Sequence, residues 1–267
     1  YGENPHQDGW FSGNLEDVFK QLHGKQISYN NLLDIDSAIM LMEDFKDAIP
    51  TFAILKHNNA CGFASRPSLV EAYSSALEAD PVSAFGGVLI SNKEIDLQTA
   101  TLINNLFCEV VIAPSFDLEA LEILKSKKNR IILKQNNTIF PDKIVRSCLN
   151  GTLIQKRDSS VESIDSFELK TNHSPTSSQM EDLYFANKLA KHTKSNTIVL
   201  VKNQQLLASG TGQTSRVDAL QNCLNKLRKQ KDTKINKTLF LFSDAFFPFT
   251  DSLSIIKRQK YKINIYA

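Results

Sequence analysis

The sequence predicts an α/β protein. Short apolar runs of strand length alternate with amphipathic helical stripes between residues 36 and 133, and the same alternation resumes after residue 180. Between them, residues 157–180 are rich in Ser, Thr, Asp and Glu and carry Pro175, which reads as a connection between two halves. The expected organisation is therefore a first α/β unit over 1–156, a connection over 157–180 and a second unit over 181–267.

The elements follow in order. Residues 1–33 show no clean periodicity and read as loop. Asp36 or Ser37 caps a helix whose stripe is Ala38, Leu41, Met42, Phe45 and Ile49, ended by Pro50. Residues 52–55 are an apolar strand. Ser68 and Glu71 fit a capping box, with Leu69, Ala72, Tyr73, Ala76 and Leu77 as the buried stripe. Strands follow at 88–90, 110–113 and 131–133, with helices at 96–107 and 117–126. This grammar points to a sandwich on a largely parallel sheet. In the second half, Ser178 and Glu181 offer a capping box before a stripe of Met180, Leu183, Ala186 and Ala190. Strands are expected at 197–201 and 239–242, with a helix at 214–230 between them. The two halves share a grammar, without a repeat visible in the residues themselves.

Composition sets bounds. The 267 residues are 42% hydrophobic and 22% charged, enough for a sizeable core. A net charge of +2 argues against a nucleic-acid binder, and the basic clusters at 125–130, 226–234 and 257–262 read as solvated helix ends or loops. No apolar run is long enough to span a bilayer and residues 1–30 do not resemble a signal peptide, so neither a membrane nor a secretory context is expected. The cysteines at 61, 108, 148 and 223 form no CxxC pair. Cys61, Cys108 and Cys148 read as small core residues of a reduced, cytoplasmic protein.

Chemistry concentrates in a few blocks. In KHNNACG, at 56–62, an apolar strand runs into Lys56 and His57 and then into a polar turn closed by Gly62. Ligands collect outside the carboxyl ends of strands in open α/β sheets, where a lysine supplies a fixed cation and a histidine a proton acceptor titrating near neutrality. The same pair also suits a solvated lysine beside a loop-capping histidine. DPVSAFGG, at 80–87, sets two glycines before a strand, for close backbone approach to a ligand or an ordinary turn. GTGQTSRVD, at 210–218, leads into a helix start whose amides and Arg216 suit an anion, without the Lys-Ser/Thr ending of a P-loop. KSN, at 194–196, offers Asn196 as a reader of a carboxamide. SDAFFPF, at 243–249, places three aromatics and an acid after a strand. Exposed, the rings would stack on a flat heterocycle; buried, they would be core.

Together with YGENPHQ at 1–7 and EVVIAP at 109–114, these blocks resemble, in order and over nearly the whole chain, one family. It is the transformylase domain of the bifunctional transformylase and inosine-monophosphate cyclohydrolase of purine biosynthesis. The resemblance implies two cytidine-deaminase-like α/β subdomains and a homodimer with active sites at the subunit interface. It implies formyl transfer from 10-formyltetrahydrofolate to 5-aminoimidazole-4-carboxamide ribonucleotide without a metal. By the same resemblance His57 accepts the amine proton and Lys56 stabilises the transition state. Tyr1, Gly86, Glu109, Asn196 and Arg216 would surround the nucleotide, with Val217, Phe246 and Asp251 near the folate. Position 109 is acidic, as in relatives that carry Asp there.

Three departures stand beside the match. Relatives place an Arg immediately before the Tyr1 equivalent, and the cyclohydrolase domain precedes it. They also continue for a few dozen residues past the equivalent of Ala267. That continuation holds a glycine-serine turn near the folate and a final segment with Arg and His near the substrate. The chain is thus expected to stop where a further strand of the second unit begins, either truncated or a degenerate relative that dimerises or binds nucleotide without catalysis. A zinc deaminase of the shared fold is excluded by residues. His57 is followed by Asn58 and Asn59 rather than a Glu two places on, and no Pro-Cys-x-x-Cys pair occurs.

Overall fold

The computed structural model describes residues 1–160, 163–170, 174–230, 239–247, 249–259 and 263–266. The expected connection and the basic clusters at 226–234 and 257–262 fall partly outside them.

The first unit is built from β1 (Phe19–His23), α1 (Tyr29–Glu43), β2 (Thr51–Lys56), β3 (Asn59–Ser65), α2 (Leu69–Ala79), β4 (Gly87–Ser91), α3 (Leu97–Asn104), β5 (Cys108–Ala113), α4 (Leu118–Lys125) and β6 (Ile131–Gln135). Its six-stranded sheet runs β1-β6-β5-β4-β2-β3. Only β4–β5 and β5–β6 pair in parallel, so the sheet is mixed rather than largely parallel. The difference arises at 56–62, where the chain makes a two-residue hairpin turn and returns as β3 instead of ending in a polar turn, and at the far edge, where β1 runs antiparallel to β6. Gly62 lies inside that strand. A Cβ there would stand 2.2 Å from the Ala76 carbonyl oxygen, so glycine is what lets β3 lie against α2.

Two further expectations are corrected here. Residues 19–23 form an edge strand. α1 starts well before Asp36, capped by Ser28, whose side chain and that of Asn31 form a reciprocal capping box. Asn stands where Glu or Gln usually marks the motif, which hid the start. The Ser68–Glu71 box forms as expected.

A hairpin, β7 (Lys143–Cys148) and β8 (Gly151–Lys156), follows and joins neither main sheet. Both strands are exposed along their length, so Cys148 is a surface thiol and not a core residue. Cys61, Cys108 and Cys223 are buried.

The second unit comprises α5 (Ser177–Lys191), β9 (Ile198–Val201), β10 (Leu206–Gly210), α6 (Arg216–Lys229), β11 (Leu239–Ser243), α7 (Asp251–Lys257) and β12 (Ile263–Tyr266), in a sheet ordered β10-β9-β11-β12. α5 is capped by Thr176 with Gln179, two residues ahead of the expected Ser178–Glu181 box, and so begins inside the expected connection. β12 pairs in parallel with β11, supplying a strand expected to lie beyond the chain.

The order α-β-β-α-β-α-β occurs twice, as α1 to β5 and as α5 to β12. The ladders match as well: β2–β3 and β2–β4 are antiparallel and β4–β5 parallel, as are β9–β10, β9–β11 and β11–β12. The duplication that the residues do not display is plain in the topology.

Period-two alternation sorts the strands into layers. Phe52, Ile54 and Val111 face α2, α3 and α4, whereas Ala53, Leu55, Val110 and Ile112 face α1. That second core also takes in Phe185, Ala186 and Leu189 of α5 and Val199 and Val201 of β9, so α1 and α5 lie between the two sheets. Ile198, Leu200 and Leu241 face outward to α6 and α7. The units are further tied where the Ser65 N–H donates to the Gln204 carbonyl at 3.0 Å. No helix among the described residues is long and apolar enough to cross a membrane.

Candidate active site

The expected site residues fall into two clusters. The first lies where β2 ends and β4 and β5 begin, which is the amino end of the parallel strands and not their carboxyl end. Lys56 closes β2, and its ammonium donates to the Gly86 carbonyl at 2.8 Å. Gly86 is at φ +69°, and a Cβ there would meet the Lys56 Nζ at 3.0 Å, so glycine serves both the turn and the cation's seat. The next two residues, His57 and Asn58, are both left-handed, at φ 49° and 63°, and make the type I′ turn that fits a two-residue hairpin. His57 is exposed at its tip.

Glu109 sits early in β5. Its Oε2 accepts from Lys25 Nζ at 3.0 Å and Asn31 Nδ2 at 3.2 Å. Burial raises this carboxyl, but those two hydrogen bonds and the charges of Lys25 and Lys56 outweigh it and hold Glu109 below its ordinary value. Tyr1 is exposed on a hydrogen-bonded loop, closed where the Gly2 N–H donates to the Gln7 carbonyl at 2.7 Å, so the terminus is folded rather than frayed. Tyr1 and Lys25 share the wall of a cavity of about 1030 Å³ with Trp10, Phe11 and Tyr29. Lys56 and His57 do not line it. Residues missed in the sequence complete this cluster. Phe85 and Phe107, exposed and 4.9 Å apart between ring centroids, flank Gly86, and Lys25 and Asn31 hold Glu109.

The second cluster lies at the carboxyl end of β11 and the start of α6. Arg216, the first residue of α6, donates from Nη1 to the Ser243 hydroxyl at 2.9 Å and to the Asp244 carboxylate. Burial raises Asp244, but hydrogen bonds from Ser195, Arg216 and the Thr197 N–H hold it below its ordinary value. Asn196 Nδ2 donates to the Gln213 carbonyl at 3.0 Å, pinning the 211–215 loop beside it. Val217 is half-buried next to Arg216, and Asp251 is exposed at the start of α7. Of the aromatics, Phe246 and Phe249 are exposed, whereas Phe247 packs on the core under α6. No hydrogen bond or ion pair among the described residues joins the two clusters. Nor is any group of three or more His, Cys, Asp or Glu side chains among them placed to hold a metal ion.

Comparison with known proteins decides the family. The model of the AICARFT/IMPCHase bienzyme family matches residues 1–226. The chain belongs to that family. It is 54% identical over 259 residues to the bifunctional purine biosynthesis protein PurH of Bacteroides thetaiotaomicron, covering 97% of this chain and 50% of that protein. It is 42% identical to the PurH protein of Chlorobium phaeobacteroides and 41% identical to that of Caldicellulosiruptor saccharolyticus, each covering 95% of this chain and 50% of the relative. The chain thus spans about half the length of the curated relatives it matches.

Proposed function

We propose that this chain carries the formyl-transfer half of the family's chemistry, moving the formyl group of 10-formyltetrahydrofolate to the 5-amino group of 5-aminoimidazole-4-carboxamide ribonucleotide. The observation that carries this reading is the Lys56–His57 pair, one side chain anchored on the Gly86 carbonyl and the next exposed at the tip of a defined turn. The substrate amine is conjugated with its imidazole and is a poor nucleophile. His57 takes its proton as the nitrogen attacks the formyl carbon. The Lys56 ammonium stands beside the oxyanion that forms. Collapse of that adduct breaks the bond to the folate nitrogen, which leaves with a proton.

Arg216 supplies the phosphate or carboxamide end with a guanidinium held in place by Ser243 and Asp244, and Asn196 offers both a donor and an acceptor. The exposed rings of Phe246 and Phe249 suit a stacked pterin, Asp251 its amino group, and Val217 its apolar edge. Tyr1, Gly86 and Glu109 bound the nucleotide on the other side.

The partner in this reading is a second copy of the chain. Among the described residues no hydrogen bond or ion pair links the clusters within one chain, and an isolated two-stranded hairpin is marginal in water, yet β7–β8 exposes Val145, Leu153 and Ile154. A homodimer covers such residues and brings one copy's Lys56–His57 to the other's Arg216. Each unit is read as cytidine-deaminase-like, supported by the repeated strand order. Free cysteines suit a reducing cytoplasm.

The test is formylation of the ribonucleotide by the purified chain, with His57→Ala and Lys56→Ala beside it. Turnover by the parent and its loss in both variants, with folding intact, is the expected result. A folded dimer that binds the nucleotide without turnover would instead mark a relative that has lost catalysis.

A further inference from the structure

We propose that Asp34 is a positioning residue for His57. This rests on the formyl-transfer reading and goes beyond it to what aims the base. Among the described residues no side-chain hydrogen bond holds the His57 imidazole, so the ring's direction is set by the backbone that carries it. That backbone is left-handed at two successive non-glycine residues, a conformation that persists only where its surroundings impose it.

Two groups impose it. Asp34 Oδ1 accepts the Asn58 N–H at 2.7 Å, and Asn59 Nδ2 donates to the His57 carbonyl at 2.8 Å. The second contact is local to the hairpin and moves with it. The first reaches across from α1, a helix fixed by its capping box and by Ile35, Ala38 and Ile39 in the core. It ties the turn to the body of the protein.

The second repeat contains the same device without the chemistry. Asp34 is the sixth residue of α1, and Asp182 is the sixth residue of α5. Asp182 accepts the N–H groups of Asn203 and Gln204 at 2.9 and 2.6 Å, and these form the left-handed turn between β9 and β10, at φ 51° and 52°. That turn is covered by Arg66, which donates to the Asn203 carbonyl at 2.7 Å. A helix carboxylate gripping a hairpin turn belongs to the fold, and in the first repeat the gripped turn carries Lys56 and His57.

The experiment compares the parent chain with Asp34→Ala, Asp34→Asn and Asp182→Asn, reading amide hydrogen exchange at Asn58 and the steady-state constants of formyl transfer. In Asp34→Ala the Asn58 amide should exchange at least about tenfold faster and kcat fall about tenfold or more, with the ribonucleotide KM nearly unchanged, because misaimed groups lose rate rather than affinity. Asp34→Asn keeps an acceptor oxygen and should stay within about threefold of the parent in both readings. Asp182→Asn should leave kcat at the parent value. An Asp34→Ala chain with parent kcat, or with unchanged Asn58 exchange, overturns the proposal. So does an Asp34→Asn chain as impaired as Asp34→Ala. Parent chain without turnover would sink the formyl-transfer reading instead, while the exchange data would still decide whether Asp34 holds the turn.

Discussion

Asn92 and Asp244 occupy the same place in the two repeats and make the same pair of backbone bonds. Each accepts through Oδ1 the N–H of a threonine at the start of the neighbouring strand, Thr51, the first residue of β2, at 2.8 Å and Thr197, just before β9, at 3.2 Å. Each also donates its own N–H back to that threonine's carbonyl, at 3.2 and 3.4 Å. What differs is the remainder of the side chain. The Asn92 amide donates to the carbonyls of Phe45, Ala48 and Ile49 and closes the end of the first repeat. A carboxylate has nothing to donate, and Asp244 draws in Arg216 instead. One amide-to-acid difference separates a sealed sheet end from a charged one.

The exchange can be tested in both directions. Asp244→Asn retains Oδ1 as an acceptor for Thr197 and Arg216 but removes the charge that holds the guanidinium, so ribonucleotide affinity should fall about tenfold and stability by about 1–2 kcal/mol, since a charge-assisted bond becomes a neutral one. Calorimetric titration measures the affinity, and an unchanged value would show that the Asp244 charge is not what positions Arg216 for the ligand. Asn92→Asp should instead destabilise the chain by about 2–4 kcal/mol, because three carbonyls lose their donor and a carboxylate takes its place among them. Chemical denaturation reads that loss.

Close strand–helix approach recurs in both repeats at a glycine. A Cβ at Gly210 would stand 1.9 Å from the Ala219 carbonyl oxygen, and one at Gly62 would stand 2.2 Å from that of Ala76. Backbone cannot yield as a side chain tip does. Gly62→Ala and Gly210→Ala should each therefore cost about 3 kcal/mol through forced separation of strand and helix. An alanine variant at either position with parent stability in urea would show that the helix can move away freely.

These glycines also explain what the sequence conceals. β4, β5 and β6 are legible because residues 88–90, 110–113 and 131–133 within them are apolar and buried on both faces. β3 reads NACGFAS because α2 lies so close that bulk is excluded at Gly62, while Phe63 fills the opposite core; in β10, LLASG, Gly210 marks the same close approach to α6. The β7–β8 hairpin lacks any burial pattern to read. At the candidate site, Lys56 and His57 stand out by their adjacency and Arg216 by the small-residue loop before it. Asp34, Asn31 and Asp244 act across long sequence separations, where composition carries no signal until the chain is folded.

The joint between the repeats gives a pH dependence whose sign follows from one carboxylate. Asp44 caps the end of α1 and His192 caps the end of α5, each one residue past a helix of 15 residues, and they bond at 2.7 Å between Oδ2 and Nε2. Lys191 adds an ion pair at 3.0 Å to the same carboxylate. Burial raises Asp44, but the hydrogen bonds and charges of His192 and Lys191 outweigh it, leaving the carboxyl below its usual value of 3.8. A depressed folded-state value means that the contribution is complete above the unfolded-state value and is lost as pH falls through the folded one. Asp44→Asn should thus cost on the order of 3 kcal/mol at pH 7, where a mostly buried pair loses its anion. That deficit should shrink as pH drops below about 4, because the parent carboxyl then protonates as well. Urea unfolding of both chains at neutral and acidic pH measures the difference. A deficit that stayed constant would assign the role of Asp44 to packing rather than to its charge.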